Sequence, residues 1–273
     1  MSEKYEKIGF IGSGKMAGAI IKGLIRTKFT LPENLVATQG EPDGLEEKSR
    51  NLGIKIILDN KELVKNSDVI FIATKPNQVL GVLEEIKPFV TSDKLVVSIA
   101  AGVTLQKLET NLPQNTRVIR VMPNTPALVG EGMSGVSGGT SAGENDLEFV
   151  KKLLSTIGKC IVVDNEAQMD IVTAISGSGP AFFYKVINDI ARAGEKLGMD
   201  YDKALLLSIQ TAIGSAKMAL NRDISMEQLV ANVATKGGCT AVGVDCMNEN
   251  DTQRLFYDVI KNTTEKAHEL GKG

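Results

Sequence analysis

The sequence predicts an α/β fold in which an N-terminal doubly wound sheet is followed by an all-helical C-terminal domain. First, residues 7–21 form an apolar run that is broken by Gly12-Ser13-Gly14 and resumes with helical spacing. Second, short β-branched runs alternate with amphipathic stretches up to about Val163, which is typical of a doubly wound parallel sheet. Third, residues 167–268 contain no clear strand pattern, and their apolar residues recur every three and four positions. The predicted domains are residues 1–164 and residues 165–273.

The glycine-rich turn near the start of the chain predicts a dinucleotide site. Gly12 permits a tight turn, Gly14 allows the backbone to approach a pyrophosphate, and Ala17 is the third small residue, where helix and strand pack closely. Free N–H groups and the positive end of the helix dipole then face the negative ligand. Such a motif alone is weak evidence, but here it follows a strand-like run and precedes a helix-like one. We therefore predict a Rossmann-type first domain.

Strands and helices alternate along this predicted domain. The strands are expected at residues 8–11, 35–38, 55–57, 69–73, 95–99, 118–122 and 161–163, with a further short strand at 133–136 on the edge of the sheet. The helices between them are expected at residues 16–26, 45–51, 61–66, 78–86, 105–110 and 144–157. Ligands bind beyond the carboxyl ends of such strands. The turns at residues 38–40, 74–77, 100–102 and 123–126 should therefore carry the site, although Pro76 and Pro126 could instead simply end strands.

Two segments of the helical domain interrupt the helical pattern. Glycine and proline disfavour helix interiors, so residues 175–182 indicate either close approach to a ligand or to the first domain, or a turn between helices with Pro180 at the first helical position. In the second segment, the Gly237-Gly238 turn precedes an apolar helical run. Its free N–H groups could bind a carboxylate, whereas the alternative is an ordinary helix cap by Thr235 or Thr240.

Composition excludes several classes of protein. The formal net charge of -2 and the absence of long basic runs argue against a nucleic-acid partner. No apolar run approaches the roughly 20 residues that span a membrane, so we expect a cytoplasmic protein with no membrane partner. Three cysteines without a CxxC pair suggest reduced thiols and neither a disulfide framework nor a metal site. The single histidine, His268, lies in a polar tail and is expected at the surface.

Six stretches together resemble pyrroline-5-carboxylate reductase, the enzyme family that catalyses the last step of proline biosynthesis. They cover essentially the whole chain and read IGSGKMAGAI, ATKPNQV, SIAAGVTL, RVMPNTPALVGEG, VTAISGSGPAF and VATKGGCTAVGVDCM. The last is the most specific. Two residues depart from the family pattern: Lys236 replaces a common proline, and Cys239 replaces a frequent threonine or alanine.

The resemblance implies the ligands, the assembly and the site residues. It implies a substrate, 1-pyrroline-5-carboxylate, a product, L-proline, and an intertwined homodimer that can assemble further, for example into a decamer. The implied cofactor residues are Ile11, Gly12, Ser13, Gly14, Lys15, Met16, Thr38, Asn60, Ala73, Thr74, Lys75, Pro76, Ile99, Ala100 and Ala101. The implied substrate residues are Glu166, Asn232, Gly238, Cys239 and Thr240.

Hydride transfer from the cofactor asks little of protein acids and bases. We assign the substrate carboxylate to the backbone N–H groups of Gly238, Cys239 and Thr240, and the ring nitrogen to the Thr240 hydroxyl group. Glu166 would add negative potential or order water, so Thr240 and Glu166 are the catalytic candidates. The resemblance favours NADPH as the cofactor, whereas Glu41, shortly after the second strand, favours NADH.

Two other functions fit the same fold. A β-hydroxyacid dehydrogenase would use a lysine as its acid or base, for which Lys185 or Lys236 could serve. A dinucleotide-sensing or scaffold protein would keep the fold but would have lost its chemistry. The presence of both the cofactor and the substrate motifs favours the imine reductase.

Overall fold

The computed structural model describes residues 5–221 and 223–272, which form two compact units. The first unit contains the described residues up to Ser178 together with those from Thr263 onwards, and the second is Gly179–Asn262. The sequence-based boundary near Asp164 marks where the strand pattern stops. The compact second unit begins later because the residues just beyond that point still pack on the sheet, with Val172 against Gly135.

The first unit is built on one eight-stranded sheet with the order β3-β2-β1-β4-β5-β6-β7-β8. The order reverses direction between β1 and β4, and the glycine-rich turn follows β1 at this point. The strands are Ile8–Ile11, Leu35–Thr38, Lys55–Ile57, Val69–Ile72, Leu95–Ser98, Arg117–Met122, Gly132–Gly138 and Gly158–Val162, numbered β1 to β8. A dinucleotide site is expected at such a reversal of strand order.

Strand β7 corrects one prediction. The expected edge strand at residues 133–136 extends over Gly132–Gly138 and lies between β6 and β8, so β8 forms that edge. It runs antiparallel to β6, whereas every other pair in the sheet is parallel. Glycine allows the close pairing with β8: a side chain at Gly158 would lie 1.9 Å from the Gly132 carbonyl oxygen. Composition alone made this glycine-rich stretch look peripheral.

Apolar layers cover both faces of the sheet. Side chains of β1 alternate between them: Phe10 belongs to one buried cluster and stacks on Phe71, while Ile11 belongs to the other. The helices of the first unit are Lys15–Arg26, Leu45–Leu52, Asn60–Lys65, Val79–Ile86, Leu105–Thr110, Glu144–Leu154 and Gln168–Val172, numbered α1 to α7. Most of these helices agree with the predicted ones within one or two residues. Each packs one face against the sheet, and that face appears in the sequence as apolar residues at helical spacing.

The segment at residues 175–182 is not a loop between helices. After α7, residues Thr173–Gly177 form a wider π-helical turn, in which the N–H of Ser178 donates to the carbonyl of Thr173 at 2.8 Å. Pro180 is the second residue of the next helix, close to the predicted first position. A side chain at Gly177 would lie 2.5 Å from Met122, so glycine here permits close approach to β6.

The second unit is helical, as predicted. Its helices are α8 (Gly179–Lys196), α9 (Tyr201–Leu220), α10 (Met226–Val233) and α11 (Cys239–Glu249), and α12 (Thr252–Lys272) begins here and ends in the first unit. Helices α8 and α9 pack through Gly194 and Ala204. Large apolar side chains remain uncovered, for example Phe183, Leu206 and Val242, each about two-thirds exposed.

Within the described ranges, no helix is long and apolar enough to cross a membrane.

Candidate dinucleotide and substrate sites

A cavity of about 370 Å³ opens at the carboxyl ends of β1, β2 and β4. Most of the predicted cofactor residues line this cavity: Ile11, Gly12, Ser13, Gly14, Thr38, Asn60, Ala73, Thr74 and Lys75. We call it the dinucleotide cavity. The parallel pairing of β1 with β2 and β4 brings these separate turns to one edge of the sheet.

Gly12 is required by the backbone itself. Its φ of 100° lies in the region that favours glycine, and a side chain would lie 2.8 Å from the Ala73 carbonyl oxygen. Residue 12 therefore fixes how closely the glycine-rich turn approaches the end of β4.

Gly14 instead leaves room for a ligand. It is the N-cap of α1, no side chain caps the helix, and the first turn contains no acidic residue. A side chain built at Gly14 would meet no described atom within 4 Å. The N–H groups at the start of α1 are thus open to a negatively charged group, as a pyrophosphate requires.

Two buried hydroxyl groups support this fit. The Oγ of Ser13 and the Oγ1 of Thr74 line the dinucleotide cavity and have no hydrogen-bond partner among the described residues. Buried polar atoms without partners are rare and indicate a missing ligand or water. Ser13 follows Gly12 in the chain, and the Thr74 backbone lies close to Gly12, so both residues border the glycine-rich turn where a pyrophosphate would bind.

A chain of hydrogen bonds organises the end of the cavity nearest β2. The N–H of Gly12 donates to Thr38 Oγ1 at 3.3 Å, and the Thr38 hydroxyl donates to Asn60 Oδ1 at 2.7 Å. Asn60 Nδ2 in turn donates to Glu85 Oε2 at 2.8 Å. Thr38 and Asn60 are therefore held in fixed orientations.

The other predicted cofactor residues lie outside this cavity. Lys15 lines a neighbouring cavity beside α1, and Pro76 and Ala101 line a third cavity near the end of α12. Met16 and Ile99 pack against the apolar core, and Ala100 is buried. The dinucleotide cavity is also lined by Gln39 and Gly40, which belong to the predicted turn at residues 38–40, and by four residues that the sequence analysis did not select, namely Lys48, Leu58, Gln78 and Val82. No local motif signals Lys48, because its place in the lining depends on where α2 lies relative to the ends of the strands.

The predicted substrate turn lies in the second unit. Gly237 has a φ of 79°, and Gly238 is the N-cap of α11 without a side-chain cap, so neither Thr235 nor Thr240 plays the capping role considered above. The N–H of Gly238 already donates to the Thr235 carbonyl at 2.9 Å. This bond corrects the assignment of that N–H to the substrate and leaves those of Cys239 and Thr240. Asn232, on α10, accepts a hydrogen bond from Gln228.

Glu166 lies in the first unit and is bound to its neighbours. Its Oε1 accepts hydrogen bonds from Arg120 at 2.8 Å and from the N–H of Leu105, the first residue of α5, at 2.6 Å. The Arg120 side chain is 4% exposed, and it also lies 3.9 Å from Asp170. The charge of Glu166 is therefore largely balanced by Arg120.

Neither lysine of the dehydrogenase alternative lies in a buried acid–base site. Lys185 pairs with Asp189 on the exposed surface of α8, and Lys236 is exposed in the turn before α11. Among the described residues, no group of three or more His, Cys, Asp or Glu side chains is arranged to hold a metal ion.

Two regions of the chain match known sequence families. Residues 166–270 match the family described as pyrroline-5-carboxylate reductase dimerisation. Residues 7–102, which contain the dinucleotide cavity, match the family described as NADP oxidoreductase, coenzyme F420-dependent.

Similarity to individual proteins extends over the whole chain. A pyrroline-5-carboxylate reductase from Methanosarcina acetivorans is 40% identical over 267 residues, covering 98% of both chains. A solved pyrroline-5-carboxylate reductase from Coxiella burnetii has a TM-score of 0.94 at 32% identity and covers 98% of this chain and 100% of its own. The pyrroline carboxylate reductase of Plasmodium falciparum, solved with NADP bound, has a TM-score of 0.85 at 32% identity, with 97% and 98% coverage.

Proposed function

Because the chain belongs to the pyrroline-5-carboxylate reductase family, it is an NAD(P)H-dependent oxidoreductase, and we propose that Thr240 is its catalytic side chain. The reaction reduces the C=N bond of 1-pyrroline-5-carboxylate and gives L-proline. The bound cofactor supplies the hydride to the carbon of that bond, and a proton is needed on the nitrogen. The protein must orient the imine and tolerate its positive nitrogen.

The uncapped start of α11 carries this assignment. Gly238 gives the helix no side-chain cap, and no acidic residue lies in its first turn. The N–H groups of Cys239 and Thr240 can therefore bind the substrate carboxylate. Thr240 is partly buried, and from this position its hydroxyl group can hydrogen-bond the ring nitrogen. With the carboxylate and the nitrogen both held, the imine is oriented for attack.

Glu166 contributes through its charge in this proposal. Arg120 and the N–H of Leu105 hold one of its oxygens, which orients the carboxylate and reduces its negative potential. Glu166 would then stabilise a cationic imine weakly and order water near it, whereas Thr240 contacts the substrate directly.

Self-association follows from the dimerisation family match and from the second unit's surface. Phe183, Leu206 and Val242 leave large apolar areas in water in a single chain. We propose a homodimer in which the second unit buries this surface, and a decamer as the higher assembly. A cytoplasmic location remains a prediction from the sequence.

The decisive experiment follows the absorbance of NADPH and of NADH on addition of 1-pyrroline-5-carboxylate. Oxidation of either cofactor with formation of L-proline is expected. A folded protein that binds the dinucleotide but oxidises neither cofactor would contradict the proposal and favour the sensing alternative. Oxidised cofactor combined with a β-hydroxyacid is the matching control for the dehydrogenase alternative.

A further inference from the structure

We propose that Lys48 binds the 2′-phosphate of NADPH and thereby gives this reductase its preference for NADPH over NADH. This inference rests on the proposed function, because it assigns a residue to the cofactor of that reaction. Lys48 lies in α2, is half-buried and lines the dinucleotide cavity. It also lines the neighbouring cavity beside α1, where Ser13 and Gly14 contribute as well.

The charges of the dinucleotide cavity support this assignment. Its only charged lining residues, within the described chain, are Lys48 and Lys75. Lys75 follows β4, on the opposite side of β1 from β2. The adenosine ribose binds near the end of the second strand in such folds, so Lys48 is the cation on the ribose side.

The other polar groups near the end of β2 are already engaged. Gln39 donates through Nε2 to the carbonyl oxygens of Glu41 and Asp43, at 2.6 and 3.0 Å. The Thr38 hydroxyl donates to Asn60, and Asn60 donates to Glu85. Lys48, with three N–H donors on a flexible stem, is the lining group best suited to a phosphate dianion.

Acidic residues do not cancel this charge inside the cavity. Glu41, which would favour NADH by binding ribose hydroxyl groups, is exposed and does not line the cavity. Glu85 accepts the hydrogen bond from Asn60, but it does not line the cavity either. In this proposal Lys48, from the helix that follows β2, takes the role of the arginine that accommodates the 2′-phosphate in other dinucleotide-binding domains.

The test compares binding, not only turnover, in the wild type and in Lys48→Met. The ligands are NADPH, NADH, and the fragments adenosine 2′,5′-bisphosphate and 5′-AMP, titrated by calorimetry. We expect Lys48→Met to weaken NADPH and the bisphosphate by about tenfold or more and to change NADH and 5′-AMP by less than about twofold. The salt dependence of NADPH binding should also decrease. Arg50→Met is the matched control, because it removes a positive charge from an exposed position of the same helix that does not line the cavity.

Three results would overturn the inference. They are an equal loss for NADPH and NADH in Lys48→Met, no loss for either, or a wild type that binds NADH as tightly as NADPH. Lys48→Arg keeps the charge and should restore NADPH binding, which separates charge loss from poor folding. These outcomes do not depend on the reductase assignment. If the wild type reduces the imine and Lys48→Met keeps the wild-type ratio of NADPH affinity to NADH affinity, the proposed function stands and only the role of Lys48 is refuted.

Discussion

Arg120 and Glu166 form an ion pair of 2.8 Å in which the arginine is almost fully buried and the carboxylate remains 29% exposed. The same carboxylate oxygen accepts the first N–H of α5, so one group joins β6, α5 and the segment before α7. A residue selected as a substrate contact is therefore also an organising element of the first unit.

Removing Arg120 should destabilise the first unit. Arg120→Ala leaves the Glu166 carboxylate without its buried partner, and we expect the free energy of unfolding to fall by about 2–3 kcal/mol, below the usual range for buried pairs because Glu166 keeps contact with water. Chemical denaturation measures this change. Lys152→Ala, which removes an exposed pair with Glu148, should cost less than about 1 kcal/mol. Equal losses in the two variants would contradict the structural role.

The contribution of Glu166 to turnover can be separated from this role. Glu166→Gln removes the charge but keeps an oxygen for the N–H of Leu105. We expect kcat to fall by about tenfold while dinucleotide affinity stays within about twofold, because the lost potential acts on the cationic substrate. Unchanged kcat and KM together with lower stability would leave Glu166 with a structural role only.

Thr240 should matter for turnover and not for cofactor binding. Thr240→Ala removes the hydroxyl group proposed to bond the ring nitrogen, and we expect kcat to fall by about 100-fold. Thr240→Ser keeps the hydroxyl group and should recover most of the activity. Steady-state kinetics with separate cofactor titrations give the comparison. Small and equal effects of Thr240→Ala on turnover and cofactor affinity would refute the assignment.

The orphaned hydroxyl of Ser13 should have opposite effects on stability and binding. Ser13→Ala removes a buried polar atom without a partner, so the ligand-free protein should be as stable as the wild type or slightly more stable. Dinucleotide affinity should fall by about fivefold to tenfold, since a hydrogen bond to the ligand is lost. Ser67→Ala is the control, because that buried hydroxyl donates to Leu63. It should lose stability without losing affinity.

Alanine substitutions of Gly12 and Gly14 should also differ in their effects on stability and on dinucleotide binding. Gly12→Ala forces a side chain into a strained backbone region and against Ala73, and it should destabilise the protein by about 2 kcal/mol or more. Gly14→Ala meets open space, so stability should change by less than about 1 kcal/mol while dinucleotide binding is blocked. Thermal unfolding and calorimetric titration test both. Equal destabilisation by the two changes would show that Gly14 is also a structural requirement.

Burial raises the pKa of the Cys160 thiol to about 11. Because the thiolate is the reactive form, Cys160 should be alkylated at pH 8 at least about 100-fold more slowly than a free cysteine, and faster as the pH rises towards 11. Mass spectrometry after timed iodoacetamide treatment measures this rate. A rate equal to that of an unstructured cysteine peptide would contradict the raised pKa.

The sequence predicted best what local spacing determines. The strand at residues 8–11 and the helix following Gly14 are encoded by a buried apolar run and helical periodicity within a short stretch, and both are present. The place of β7 inside the sheet was not predictable in this way, because it depends on its pairing with a strand formed more than twenty residues later.

The sites follow the same rule. Residues adjacent to the ends of β1, β2 and β4 were found from turn composition, and they line one cavity. The roles of Lys48 and Arg120 depend on neighbours distant in sequence, which composition does not reveal. The Gly238 hydrogen bond to Thr235 is local, but backbone geometry, not residue type, determines it.

The end of α12 has a consequence for how the protein is made. A side chain built at Gly102 would lie 3.7 Å from the Leu270 carbonyl oxygen, and one at Gly271 would lie 3.7 Å from Thr104, so the last turns of the chain complete the surface next to β5. The first unit is therefore still incomplete when the ribosome has translated Ser178, because the residues from Thr263 onwards also belong to it. At roughly 5–20 residues per second, this surface waits on the order of ten seconds after Ser178 for the segment that begins at Thr263.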